Sequence, residues 1–161
     1  MPDAIGLDAS PLILLPRAGR LDLLMPLAPE IVVPEPVLRE IMAKGKDDVT
    51  ARAVDTTPWL SVVPAPDIPA AIAAWELGEG EASVLAWVSR RTGAAAVLDD
   101  LEGRRCAESL GVPVLGTVAV VLRAKRRGQL PIARPILQDL VRVGMYLLPR
   151  TLDEILRRVG E

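Results

Sequence analysis

Histidine and phenylalanine are absent from this 161-residue chain, cysteine occurs once, and the aromatic residues are Trp59, Trp75, Trp87 and Tyr146. Without histidine there can be no Ser-His-Asp triad, no Cys-His pair and no His-ligated zinc, so any acid–base or metal chemistry falls to carboxylates. A lone Cys106 rules out an intrachain disulfide and suits a reducing, cytoplasmic compartment. With no histidine to activate it, that thiol reads as a packing group. The scarcity of aromatics argues against an OB-fold or RRM-type binder, which stacks bases on aromatic platforms. Long apolar runs are missing too. The longest uncharged stretch, residues 110–122, is too short to cross a bilayer and contains Pro113, and no basic segment precedes an apolar run near Met1. Neither membrane insertion nor secretion is expected.

What is present is a globular composition, 50% apolar and 25% charged, of a size that forms one domain over residues 1–161. A chain this long buries about 70% of its unfolded surface, here with aliphatic side chains. The net charge of −2 hides an uneven distribution: residues 1–81 hold 6 basic and 13 acidic side chains, and residues 82–161 hold 13 basic and 8 acidic. An acidic pocket beside a basic, phosphate-facing surface gives such a split, and so do two solvated faces of opposite sign.

Along the chain, apolar strand-like segments alternate with helical patterns. Strands are expected at Ala4 to Leu7, Ile31 to Val33, Leu60 to Val63, Ala94 to Leu98 and Val112 to Leu115, with a further edge strand at Tyr146 to Leu148. Helices are expected after Ser10-Pro11, over Arg20 to Leu27, after Pro34-Glu35-Pro36, and over Asp47 to Val54, Ile68 to Leu77 and Glu81 to Arg91. Four more follow at Leu101 to Leu110, Val118 to Arg127, Ile132 to Val143 and Leu152 to Val159. Gly78-Glu79-Gly80-Glu81 reads as a turn between two of them. Such alternation predicts an α/β domain whose mainly parallel sheet is covered on both faces.

In an open α/β sheet, ligands bind beyond the carboxyl ends of the strands where the strand order reverses. Asp8 follows the first strand and Asp99-Asp100 the fourth, while Glu40 and Glu81 lie on helices that leave loops on what can be the same side. Carboxylates gathered this way repel one another and raise each other's pKa unless a cation neutralises them. An all-oxygen donor set suits Mg²⁺ or Mn²⁺, and such ions serve phosphodiester hydrolysis with no help from histidine or cysteine.

Five segments then resemble, in order, the PIN-domain family: Asp8-Ala9-Ser10-Pro11-Leu12, residues 33–41 (VPEPVLREI), Leu77-Gly78-Glu79-Gly80-Glu81-Ala82, Val97-Leu98-Asp99-Asp100, and Leu115-Gly116-Thr117 with residues 122–128 (LRAKRRG). More narrowly the chain is similar to nucleic-acid-binding PIN proteins related to VapC toxins. The resemblance implies a three-layer α/β/α sandwich and a metal-dependent endoribonuclease, with RNA as substrate, an antitoxin as protein partner and a homo-oligomeric state. It assigns Asp8, Glu40 and Glu81 as the first three acids and Asp99 or Asp100 as the fourth, with Asp100 favoured as the metal-facing member. Ser10 matches a small hydroxyl residue that orients Asp8 or a water. Glu81 departs from the family pattern, because many members carry Asp there.

Each acid also has an ordinary explanation. Asp8 can cap a helix, Glu40 can be a surface ion-pair partner, and Glu81 beside Glu79 can be a favourable charge at a helix N-terminus. Arg123, Lys125, Arg126 and Arg127 are a solvated helix end or a phosphate grip, and Arg104 and Arg105 have the same two readings. Trp75 and Trp87 fit a core or subunit contact better than a base platform. Two other activities remain open: a PIN-fold protein that binds RNA or a partner without turnover, and a receiver-like domain phosphorylated on Asp. The receiver pattern fits poorly, because its acidic pair comes early and here the pair comes late.

Overall fold

The computed structural model describes every residue except Lys44, Lys46 and Asp47. Five strands form one all-parallel sheet: β1 (Ala4–Leu7), β2 (Glu30–Pro34), β3 (Leu60–Val63), β4 (Ala94–Val97) and β5 (Val114–Leu115), in the order β3-β2-β1-β4-β5. The chain builds outward from β1 in one direction through β2 and β3, then returns to the opposite side of β1 for β4 and β5. The strand order therefore reverses between β1 and β4.

The neighbouring strands β1 and β4 are buried along their whole length, which is why they read as continuous apolar runs with no alternation. Gly6 in β1 matters here. A Cβ built on it would lie 3.0 Å from Val88 Cγ2 and 3.2 Å from Val84 Cγ1, so the missing side chain lets the helix carrying those valines pack closely on the sheet.

The helices are α1 (Ala9–Arg17), α2 (Glu35–Met42), α3 (Val49–Thr56), the single turn α4 (Ala70–Ala73), α5 (Glu79–Ser89), α6 (Leu101–Ser109), α7 (Thr117–Arg126), α8 (Arg134–Arg142) and α9 (Pro149–Arg157). The short helix expected over Arg20 to Leu27 is a 3-10 helix, Leu21–Leu27, with Pro26 inside it. The segment expected to be helical over Ile68 to Leu77 keeps only α4, because the chain turns through a left-handed residue, Glu76 at φ 53°. The Gly78 to Glu81 turn is instead the start of α5: Gly78 is the N-cap, and Glu79 and Glu81 stand in the first turn, where acidic charge is favoured. No strand forms at Tyr146 to Leu148. Gly144, at φ 123°, swings the chain out of α8, and Pro149 starts α9 after only four intervening residues. The start of the helix expected from Asp47 lies outside the described residues.

One core joins the two sheet faces, with Ile5, Leu7, Leu12, Leu85, Leu98, Leu137 and Leu140 almost fully buried within it. Each such side chain contributes about 1.5–3 kcal/mol relative to exposure. Trp87 belongs to this core, Trp59 and Trp75 pack partly buried against it, and Cys106 is a buried free thiol. Among the described residues no helix is long and apolar enough to cross a membrane.

Candidate active site

The acidic end is built from the strands. The Asp8 amide donates to the Val97 carbonyl at 3.1 Å, and the Leu98 amide donates to Leu115 at 3.0 Å, so the sheet ladder carries β1, β4 and β5 to a common edge. Asp8 and the Asp99-Asp100 pair are thereby delivered side by side at the point where the strand order reverses. Glu81 enters from the first turn of α5, and Glu40 from α2.

Gly80 makes the approach of α2 and α5 possible. A Cβ there would lie 2.9 Å from Glu40 Oε2, 3.3 Å from Val37 Cγ2 and 3.4 Å from Asp8 Oδ1. Both carboxylates crowd the space that a methyl group would take. Gly103 has the same relation to Glu81, whose Oε2 lies 3.4 Å from the site of a Cβ. An exposed ion pair, Arg39 Nη2 to Glu79 Oε1 at 3.0 Å, spans α2 and α5 beside this neck.

The acids differ sharply in what they are bonded to. Asp99 uses both oxygens on Thr117, accepting from its amide at 2.7 Å and from its hydroxyl at 2.6 Å, which fastens the start of α7 to the end of β4. Asp100 is the N-cap of α6, accepting from the Gly103 amide at 3.0 Å through one oxygen. Asp8 occupies the N-cap position of α1 yet makes no capping bond, and its buried Oδ1 has no hydrogen-bond partner among the described residues. The helix-cap explanation therefore fits Asp100 and fails for Asp8. Ser10 sits inside the first turn of α1 and lines the acidic pocket.

Electrostatics follow from this placement. Burial, and then the charges of Glu40, Asp99 and Asp100, push the Asp8 carboxyl up to about 6, against an opposing pull from the Ala9 amide. Glu81 is pushed up to about 7, first by burial and then by Asp8, Asp100 and Glu40. Raising Asp8 from 3.8 to about 6 corresponds to roughly 3 kcal/mol against its charged form. The carboxylates thus feel one another across a single site. Among the described residues, however, no three of them close around one point tightly enough to hold an ion as they stand.

A pocket of about 520 Å³ opens at this end, lined by Ser10, Glu81, Asp99 and Asp100 and by apolar residues of α1, α7 and the segment between α8 and α9. The expected basic contacts are more dispersed. Arg104 Nη1 lies 2.8 Å from where a Cβ on Gly116 would sit, a position that Asp99 Oδ1 approaches at 3.1 Å, while Arg105 pairs with Glu102. Lys125 is committed to Glu161 at 2.7 Å and to the Pro131 carbonyl at 3.0 Å, and Arg127 donates to the Pro26 carbonyl. Together with Arg123 and Arg126 they occupy the end of α7 opposite the one Asp99 holds. Sequence reasoning passed over Thr117 as a tether and Gly80 as a clearance. The Leu115-Gly116-Thr117 and Leu77 to Ala82 segments were the available signals for both.

A three-layer parallel domain with carboxylates gathered at its strand-order reversal carries its acidic pocket where open α/β sheets bind ligands. A family model described as a PIN domain matches residues 5–161, and the chain belongs to that family. No curated protein matches it. PIN domains are as a class nucleases that hydrolyse nucleic acids and typically depend on divalent metal ions.

Proposed function

We propose that this protein is a metal-dependent endoribonuclease of the VapC-like toxin type, cutting RNA phosphodiesters at the pocket beside Asp8. One observation carries the reading: Asp8 has a buried carboxylate oxygen with no partner among the described residues and feels the charges of Glu40, Asp99 and Asp100. A fold tolerates such an arrangement when a cation compensates it, and an all-oxygen donor set suits Mg²⁺ or Mn²⁺.

Asp8, Glu40, Glu81 and Asp100 are the residues that would hold the ion. When bound, a divalent ion neutralises charge on the phosphate and lowers the pKa of an attacking water. Asp99 fixes α7 through Thr117 and contributes negative charge to the site. The Ser10 hydroxyl lines the same pocket, suited to orienting a water or Asp8 itself. By resemblance the protein pairs with an antitoxin and self-associates, and its single cysteine suits a reducing, cytoplasmic compartment.

The test is cleavage of an unpaired RNA by purified protein in Mn²⁺ or Mg²⁺, with a chelator control and the Asp8→Asn variant. Cleavage is expected to stop in both controls, and decay that survives Asp8→Asn would assign the activity elsewhere. A second reading, an RNA- or partner-binding PIN domain without turnover, draws on the lack of any ion-tight grouping of three acids among the described residues. RNA binding with no metal-dependent cleavage would select it.

A further inference from the structure

Three of the four aromatic side chains pack on the core, Trp87 within it and Trp59 and Trp75 against it. Tyr146 does the opposite. It is 88% exposed, the most exposed large hydrophobic side chain among the described residues, and it lines the acidic pocket. Exposed aromatic surface is unfavourable in water, so a ring held out at a pocket mouth suits a ligand with a flat apolar face.

The ring's backbone is anchored on both sides. The Met145 amide donates to the Leu140 carbonyl at 2.9 Å and ends α8, and the Leu152 amide donates to the Leu148 carbonyl at 2.9 Å as α9 begins at Pro149. Leu152 and Leu156 bury α9, and the Glu161 carboxylate accepts from the Ala133 and Arg134 amides at the start of α8 and pairs with Lys125 of α7. The segment carrying Tyr146 is thus held against the pocket.

The pocket lining has two chemical halves. Ser10, Glu81, Asp99 and Asp100 are polar or acidic, while Leu14, Val118, Met145, Tyr146 and Leu147 are apolar or aromatic. A nucleotide has the same two-part character, with a charged phosphate and a flat base. We infer that Tyr146 is the stacking platform for an unpaired base of the substrate, placing the adjoining phosphate at the acidic side chains. The substrate class is then RNA with unstacked bases, as in single strands and loops, because a base inside a duplex offers no free face. The inference rests on the ribonuclease reading above.

The experiment measures kcat, KM and binding anisotropy for a short labelled unpaired RNA in Mn²⁺, using the wild type, Tyr146→Ala and Tyr146→Phe. Loss of the ring is expected to raise KM and Kd roughly 5- to 100-fold, the usual range for one base–aromatic stack, with kcat and thermal midpoint little changed. Phenylalanine keeps the ring and should remain within about 2-fold of wild type. An RNA with a single abasic nucleotide at the contact position should cost the wild type a similar factor and cost Tyr146→Ala nothing further. An alanine variant that binds and cuts unpaired RNA like wild type would overturn the inference while leaving the nuclease reading intact. So would an alanine variant that loses self-association by light scattering with RNA handling unchanged, because the ring would then belong to a contact between copies. Should no protein cleave, the nuclease reading falls, and the anisotropy comparison still decides for or against Tyr146.

Discussion

Asp8 and Glu161 are both carboxylates drawn out of bulk water, and the fold treats them in opposite ways. Glu161 accepts from the Ala133 and Arg134 amides at 2.6 and 3.0 Å and meets the Lys125 ammonium at 2.7 Å, and these bonds hold its carboxyl down at about 2 despite partial burial. Asp8 has a buried oxygen with no partner and like charges around it, and stands at about 6. One acid closes a structural joint. The other is held in a state that costs stability.

The comparison breaks most sharply under substitution. Asp8→Asn should lower metal-dependent cleavage by at least the roughly 100-fold that loss of a metal's outer partner can cost, while raising the thermal midpoint of the metal-free protein. Glu161→Gln should leave cleavage close to wild type and lower the midpoint. A variant pair that moved both readouts together would erase the distinction between the two acids.

Gly80→Ala sharpens the acidic side. Its methyl would push first on Glu40 Oε2, the flexible end of an exposed side chain, so the fold should survive while the acids are spread apart. Titration calorimetry with Mn²⁺ is expected to show affinity weakened by roughly 10-fold. Unchanged affinity would remove Glu40 from the ion's surroundings.

The two acids also predict opposite responses to pH. Asp8 and Glu81 have folded values above 3.8 and 4.5, at about 6 and about 7, so the folded state binds more protons than the unfolded one between pH 4 and 7. Their contribution to the stability of the metal-free protein therefore falls as pH rises through that window. Glu161 runs the other way: its contribution is present above 4.5 and is lost as pH falls toward about 2. Thermal melts in chelator should show a midpoint that declines from pH 5 to 7.5, and Asp8→Asn should flatten that decline. A midpoint rising with pH over the same range would contradict the electrostatics of the acidic end.

Thr117→Val tests the structural half of the acidic end, since it deletes one hydroxyl bond to Asp99 and leaves the amide bond in place. Because Thr117 is fully buried and its partner charged, chemical denaturation should register about 1.5–3 kcal/mol. A neutral result would mean that the amide alone fastens α7.

Much of the acidic end was legible in the letters, because strand-end chemistry is local. A run of apolar residues that stops at Asp8 or at Asp99-Asp100 puts those acids on the sheet's edge, whatever the rest of the chain does. The duties of the doublet were not legible. Which acid faces Thr117 depends on how α7 meets β4, a contact across 18 positions. Gly80 reads as a turn residue until Glu40, 40 positions earlier, is found beside it. Tyr146 looks like part of an edge strand because Tyr favours strands and a short apolar run surrounds it, and Gly144 and Pro149 redirect the chain before any pairing can form. Lys125 looks like a free phosphate contact until Glu161 folds back on it.

The bond from Asp99 to Thr117 has a consequence at longer range. It anchors α7 at its first residue, and a helix of 10 residues is a stiff rod about 15 Å long. Arg123, Lys125 and Arg126 ride in its last turn. The Asp99 carboxylate and those cations are therefore kept at a set interval, as if marked on a ruler.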